Sequence, residues 1–493
     1  MIRTNPFATS PRANVHILRP APLAFCLAGI LAAASSPHAL GVSRTTPHAP
    51  ARARGSDFAY RGAALATPSP HRAADTLPVT SCADDNSAGT LRTVLASAAD
   101  GDTVDLTSLT CGTITLALGA VRTDVDNVTL QGPGRDQLTI DAAHLDRAVV
   151  LGGAGTLSIA DVTILNGYLP GDYNGGCVRS YGNLSLTRTT VGGCEIVAIG
   201  YAAGGGAAAR ANMSLVDSTI SGNSVSSSSN YYGYLYGGGV NAVGTMTITG
   251  STISGNTQQF LGDVTPYSIA YGAGVASRSD TTITASTIDG NTGSTYGGGV
   301  FVVGQSGVFT RLTILRSTIS GNAASLGGGG VSIGGLFDAH LSSFVLHGST
   351  IADNTTDGAG GGLRFRDYTI ADVQSTIVAG NVAASNADLD AVESLAIYGA
   401  DNLIDVADPD VALPADTLHG DPQLEPLADN GGPTRTHALA AGSPAIDAGN
   451  NYFDDTFDQR GDGFIRVANG RADIGAFEVQ PGDRIFADGF DGS

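Results

Sequence analysis

The chain has 493 residues, including 68 glycines, 15 tyrosines, 25 arginines and neither lysine nor tryptophan. Its net charge is −20, and past residue 77 the balance sharpens to 17 arginines against 43 acidic residues, or −26. A body this acidic excludes non-specific binding to nucleic acid or to an anionic membrane surface.

Arg3, Arg12 and Arg19 precede an apolar run at 21–34, so residues 1–41 read as an export signal cleaved after Ala34 or Gly41. The run is too short to cross a bilayer as a helix, and the rest of the sequence holds no longer one. The expected location is secreted or cell-surface, with no membrane span in the mature chain. Cleavage leaves Cys82, Cys111, Cys177 and Cys194, an even count that favours the pairs 82–111 and 177–194 among three possible pairings. Residues 42–77, rich in Ala, Arg, Pro and His without periodicity, read as a disordered linker. Residues 78–136 form an N-terminal cap with the first strands. There Leu91, Val94, Leu95 and Ala98 predict a helix over 90–99 that covers an open sheet end.

Residues 137–383 repeat. The phrases STISGN, STISGN, STIDGN, STISGN, STIADN and STIVAGN place Ile220, Ile253, Ile288, Ile319, Ile351 and Ile377 at spacings of 33, 35, 31, 32 and 26. Such a period means stacked supersecondary units. Each unit opens on a glycine cluster, such as GGGA at 204–207 or GGGV at 237–240. Aliphatic pairs five apart, Leu215 with Ile220 and Ile248 with Ile253 among them, both point inward only if the chain bends between them. The bends fall at pairs such as Asp217–Ser218 and Gly250–Ser251. Three strands with corners make one coil, so the expected fold is all-β, a right-handed parallel β-helix. Asn223, Asn256, Asn291, Asn322, Asn354 and Asn381 fall at equivalent corners, where asparagine accepts a left-handed backbone and carboxamides can stack.

Outward positions of the glycine-led strands carry Arg179, Tyr181, Arg210, Arg278, Arg364 and Arg366, which include five of the eight arginines in 175–383. The loops arriving at these strands carry Tyr231, Tyr232, Tyr234, Tyr236, Phe260, Tyr267 and Tyr271. Guanidinium forks suit carboxylates and sulfates, and tyrosine rings offer flat amphipathic area for sugars. The expected partner is an acidic polysaccharide or cell-surface glycan; the bland alternative is solvated arginines beside tyrosine-rich loops. Catalytic motifs of hydrolases, metalloproteases and nucleotide-binding enzymes are absent, and no cofactor is expected. The nearest catalytic constellation is Asp338, His340, Arg364, Arg366 and Asp367, where an arginine would serve as base and an aspartate would hold Ca²⁺.

After residue 383 the phrases stop, and residues 384–493 hold 21 acidic residues against five arginines. NGGPTRTHALAAGSPAIDAGN (430–450), DQRG (458–461) and ADIGAFE (472–478) resemble the choice-of-anchor Q region of bacterial surface proteins. Residues 81–106 are similar to the start of such secreted β-helix proteins, and RIFADGFDGS (484–493) resembles a tail on exported gammaproteobacterial proteins. The resemblance implies a Gram-negative exported β-helix, a closing region at 384–480 and a tail at 481–493; it brings no catalytic residue. Asp447, Asp458, Asp473 and Glu478 with Arg435, Arg460 and Arg466 suggest an ion network closing the stack, whereas Asp454, Asp455, Asp458 and Asp462 would be the ligands of a rival Ca²⁺ site. The expected function is an exported, non-catalytic, adhesin-like scaffold. The alternative is a polysaccharide lyase or glycoside hydrolase of the pectate-lyase-like class, an analogy that fold alone cannot carry.

Overall fold

A computed structural model describes residues 73–481, apart from 172, 230–231, 263, 305–307, 335–341, 367–368 and 393–396. The signal, most of the linker and the tail from 482 onward lie outside the described residues.

Short strands stack into three parallel sheets of twelve, eleven and ten strands, which wind as the expected parallel β-helix. One coil runs from Val178–Ser180 in the glycine sheet through Asn183–Thr187 in the middle sheet to Thr190–Gly192 in the STI sheet. The repeated isoleucines align: Ile140, Ile164, Val191, Ile220, Ile253, Ile288, Ile319 and Ile351 form one inward column. They are fully buried, a gain of about 1.5–3 kcal/mol for each such side chain. The sixth phrase slips by one place, so that Val378 continues the column and Ile377 pairs with Thr350 on the outer face. Strands extend beyond the repeat at both ends, from Thr76–Pro78 to Leu403–Ile404.

The corner between middle and STI sheets explains the letters of the phrase. The residue before each serine has a left-handed backbone, as at Asp217 (φ 49°), Ala285 (φ 48°) and Arg316 (φ 46°). Each serine hydroxyl then accepts the backbone N–H of the serine one coil back, from Ser218 through Ser251, Ser286 and Ser317 to Ser349. The asparagine corner differs from the expectation. The left-handed residue there is the one before the asparagine: Gly222, Gly255, Gly290, Gly321 or Asp353. That frees each asparagine to turn inward, where it is at least nine-tenths buried.

Inside, Nδ2 of Asn223 donates to Oδ1 of Asn256, and the chain of 2.9 Å bonds continues through Asn291, Asn322 and Asn354 to Asn381. The second Nδ2 hydrogen goes to a carbonyl one coil back, that of Ile220 for Asn256 and Ile253 for Asn291. Asp388 ends the ladder by accepting both N–H and Nδ2 of Asn381. Burial pushes its carboxyl above the usual range, against the pull of those donors.

The glycine clusters answer the ladder. A Cβ on the third glycine would meet the carboxamide beneath it: 2.9 Å from Asn223 at Gly206, 3.0 Å from Asn322 at Gly299. The first glycine has positive φ (66° at both Gly204 and Gly297), and a Cβ there would strike the carbonyl of the strand it introduces. At the head of the ladder a disulfide takes over. Cys177 holds the third-glycine slot and Cys194 the asparagine slot, with Cα atoms 5.6 Å apart. Cys82 and Cys111 form the second disulfide, near a helix over Leu91–Ser97 that is capped by Thr90 and packs on Val121–Thr123.

The sequence reading of three strands per coil is incomplete. What looked like variable loops pairs into two further parallel sheets, of four strands (first Tyr168–Pro170, last Thr257–Phe260) and six strands (first Tyr201–Ala203, last Thr355–Thr356). Their facing residues Leu169, Ile196, Ala198, Ala202, Val225, Leu235 and Ala270 form a separate core, so each of these coils carries a fin.

The acidic C-terminal region does more than close the end: it folds back along the outer face of the STI sheet. An outward column of nine threonines runs from Thr113 to Thr350. The last three are used: Thr287 Oγ1 donates to the Arg435 carbonyl, Thr318 Oγ1 to Gln459 Oε1, and Thr350 Oγ1 accepts from Ala476 N. Ile377 and Ala379 pack with Ala445, Ile474 and Phe477.

The contact between glycine and carboxamide makes an energetic prediction. Gly206→Ala and Asn223→Ala should each lower stability by about 1–3 kcal/mol, the first by crowding and the second by stranding buried partners. In a denaturation cycle the double variant should lose less than the sum, because removing the carboxamide makes room for the methyl. Strict additivity would contradict the contact.

Candidate ligand-binding groove

The tight glycine corner sets the site. The six-stranded fin sheet runs directly into the glycine cluster and then into the glycine sheet, so the two sheets meet at the corner as walls of one groove. Along the glycine sheet, Arg179, Ala208, Asn241, Ala276, Phe301, Ser332 and Arg364 stand in one outward register column. Sequence reasoning put this column in solvent; most of it is instead buried beneath the fin, with Ala208, Phe301 and Ser332 at 0% exposure. The next outward position along each strand carries Tyr181, Arg210, Val243, Arg278 and Arg366 higher on the same wall.

On the opposite wall the fin presents Tyr201 paired with Tyr234, and beside them a column of Tyr236, Tyr271 and Tyr296. Ring centroids in that column lie 5.0 and 6.3 Å apart, and Tyr271 stacks on Phe301 at 4.6 Å. Tyr271 is fully buried, its hydroxyl has no hydrogen-bond partner among the described residues, and burial pushes its pKa upward. The tyrosine column ends at Gly327, where a Cβ would collide with the Arg364 guanidinium.

The arginines cross to these rings. Arg278 lies over Tyr236 at 4.6 Å, Arg366 over Tyr296 at 4.2 Å, and Arg179 over Tyr181 at 4.9 Å. Such contacts hold a guanidinium while leaving its edge able to donate. Arg364 is engaged otherwise: its Nε lies 3.2 Å from Asp390, and its Nη1 donates to the Leu326 carbonyl. Tyr271 and Phe301 are sealed in, so what the groove shows at its opening is the half-buried rings of Tyr201, Tyr234, Tyr236 and Tyr296 and the guanidinium edges beside them, groups that suit an extended molecule with ring faces and anionic groups. Arg147, unnoticed in the sequence, belongs here too: it lies over Tyr173 at 5.5 Å. Only the parallel register shows this, since residue 147 precedes the first glycine-cluster coil.

Of the catalytic candidates, Asp338, His340 and Asp367 lie outside the described residues. Arg364 and Arg366 are neighbours at the C-terminal end of the groove. Of the Ca²⁺ candidates, Asp455 faces Arg316 at 3.2 Å and Asp458 faces Arg460 at 2.6 Å, while Asp454 and Asp462 are exposed. Among the described residues no three His, Cys, Asp or Glu side chains gather as a metal site. The arginines claim the carboxylates first.

The ion network does form. Arg460 pairs with Asp458 between the rings of Phe464 and Phe477, at 4.0 and 3.8 Å. Arg466 approaches Glu478, Asp473 accepts N–H groups of Asp447 and Val479, and Arg435 leaves the network to pair with Asp289 of a coil. Beside it, His347, Asn450, Tyr452, Phe453, Asp455 and Arg466 line a small cavity.

No protein-family model matches the chain, and no curated protein matches it. The crystal structure of pectate lyase Pel9A superposes with a TM-score of 0.43 and 12% identity, covering 82% of this chain and 96% of that one. The likeness is too loose to bear on function. No helix among the described residues is long and apolar enough to cross a membrane.

Burial pushes Glu478 up to about 7 from 4.5, against the N–H groups of Asp473 and Ala468. A carboxyl that holds its proton more tightly when folded stabilises fully below its unfolded pKa, and that stability fades as pH rises through the folded value. The unfolding temperature should therefore fall between pH 4.5 and about 7, and Glu478→Gln should flatten the fall. His347, whose pKa burial lowers, works in the opposite direction, so the difference decides: matching pH profiles for the parent chain and Glu478→Gln across that window would contradict the assignment.

Proposed function

We propose that this chain is an exported, non-catalytic surface or extracellular protein, adhesin-like, that holds an acidic glycan along the groove between the fin and the glycine sheet. The carrying observation is the alternation of tyrosine rings with arginines across that groove, within an otherwise acidic chain. Sugars stack on such rings, and carboxylates or sulfates take the guanidinium edges. Export is supported by the apolar run at 21–34, by the two disulfides, which suit an oxidising compartment, and by the resemblance of 430–478 to choice-of-anchor Q regions. The binding reading is favoured over lyase or hydrolase chemistry because, among the described residues, the carboxylate that meets the groove's arginine column, Asp390, is paired with Arg364.

The test is binding of the purified chain to immobilised pectate, alginate and a sulfated glycosaminoglycan, beside a neutral glucan. Binding should be confined to the acidic polymers, weaken with salt, and fall about tenfold or more in the triple variant Arg210→Gln, Arg278→Gln, Arg366→Gln. Unchanged binding in that variant overturns the groove reading. Release of unsaturated or reducing ends from any polymer overturns the non-catalytic one.

A further inference from the structure

Among the described residues, the other two buried arginines come with carboxylates: Arg460 pairs with Asp458 at 2.6 Å and Arg466 faces Glu478 at 3.7 Å. The half-buried Arg92 and Arg364 pair with Asp84 at 2.7 Å and Asp390 at 3.2 Å. Arg179 breaks the pattern. It is 8% exposed, yet among the described residues its guanidinium has neither a hydrogen-bond acceptor nor an ion-pair partner. What surrounds it makes this stranger: the ring of Tyr181 at 4.9 Å, and the positive charges of Arg147 and Arg210. The Arg179 nitrogens keep access to solvent, and two like charges beside them favour an anion at that opening.

Each neighbour lies at the end of a strand that pairs with the strand of Arg179. Arg147 sits just before the strand Val149–Leu151, which pairs with Val178–Ser180, and its Nε and Nη2 are fixed by the carbonyls of Asn174 and Gly175. Arg210 follows Ala207–Ala209, the next strand up, and is exposed. Of the nearby described acids, Asp146 accepts from the backbone N–H groups of Arg147 and Ala120 and balances Arg147 alone, and Asp124 faces Arg122 at 3.6 Å. Tyr173 and Tyr181, 50% and 42% exposed, flank the opening.

We infer that Arg147, Arg179 and Arg210 form an anion subsite at the N-terminal end of the groove, which takes a single carboxylate or sulfate group carried on a sugar ring that lies against Tyr173 or Tyr181. The inference rests on the glycan reading and gives it a direction. The C-terminal end holds arginines already matched to Asp390 and Tyr296, so charge recognition is concentrated where the first coils meet the fin. A glycan is then gripped at one anionic residue, with its remaining rings laid along the tyrosines.

The experiment titrates the full chain by calorimetry or NMR with three small probes: inorganic sulfate, methyl glucuronide and methyl glucoside. The expected result is saturable binding of sulfate and glucuronide, tighter for the glucuronide, with no binding of the neutral glucoside. Arg179→Gln and, on an exposed side chain that spares the fold, Arg210→Gln should each weaken it by roughly tenfold or more; Arg311→Gln, on the exposed face of the middle sheet and outside the groove, should leave it unchanged. Sulfate binding equal to that of glucuronide would reduce the subsite to a bare anion site and overturn the sugar contact. Binding left intact by both Arg179→Gln and Arg210→Gln, loss through Arg311→Gln as large as through either, or no binding of either anion, overturns the subsite. Monomer binding without polymer binding leaves the subsite standing and removes the groove reading, so the two fail separately.

Discussion

The architecture depends on a buried row of carboxamides pressed under a row of glycines. Each coil must return through a corner with its backbone close to the coil above and below, and polar backbone groups there are cut off from water. Leaving such a group unpaired costs about 1–3 kcal/mol. The asparagines answer each one: one Nδ2 hydrogen goes up the stack and the other goes back, while Oδ1 takes a backbone N–H from its neighbour. Because the carboxamide fills the corner, the residue above it can have no side chain. Glycine and asparagine are thus one requirement written at two positions of the phrase.

That corner creates the candidate site. A chain free to turn sharply through three glycines can leave the coil, build the fin, and come back beside its own point of departure. The fin shields one outward column of the glycine sheet and sets tyrosines opposite arginines. Charge follows the same plan. Carboxylates pair with arginines of the cap, the C-terminal region and the far end of the groove, whereas Arg179 at the near end has none among the described residues, in a chain of net charge −20.

The inward pattern was legible because burial leaves a period: isoleucine columns, bends five residues apart and the even cysteine count all follow from which atoms must avoid water. The outer surface was not, because two reasons for one residue look alike in sequence. The threonine of the STI phrase reads as a solvent-facing strand former; at Thr287, Thr318 and Thr350 it is a docking surface for a region more than 80 residues away. Asparagine reads as the left-handed corner residue, yet the preceding position takes that backbone. Ile377 repeats the phrase but not its place, since one extra residue before Asn381 turns it outward. The tyrosine loops carried no regular period, so their pairing into sheets was invisible, although it is this pairing that assembles the groove.

The most direct measurement uses the place where the chain itself substitutes the ladder. Cys177 and Cys194 occupy the glycine and asparagine slots, and Cys194 N already donates to Asn223 Oδ1 at 3.1 Å. If the account holds, the pair Cys177→Gly with Cys194→Asn extends the ladder by one rung. In denaturant melts it should then be more stable, by roughly 1–3 kcal/mol, than the pair Cys177→Gly with Cys194→Ala. Equal stability, or an asparagine variant less stable than the alanine one, would show that the slot does not receive a carboxamide and would contradict the coupling of corner and ladder on which the groove depends.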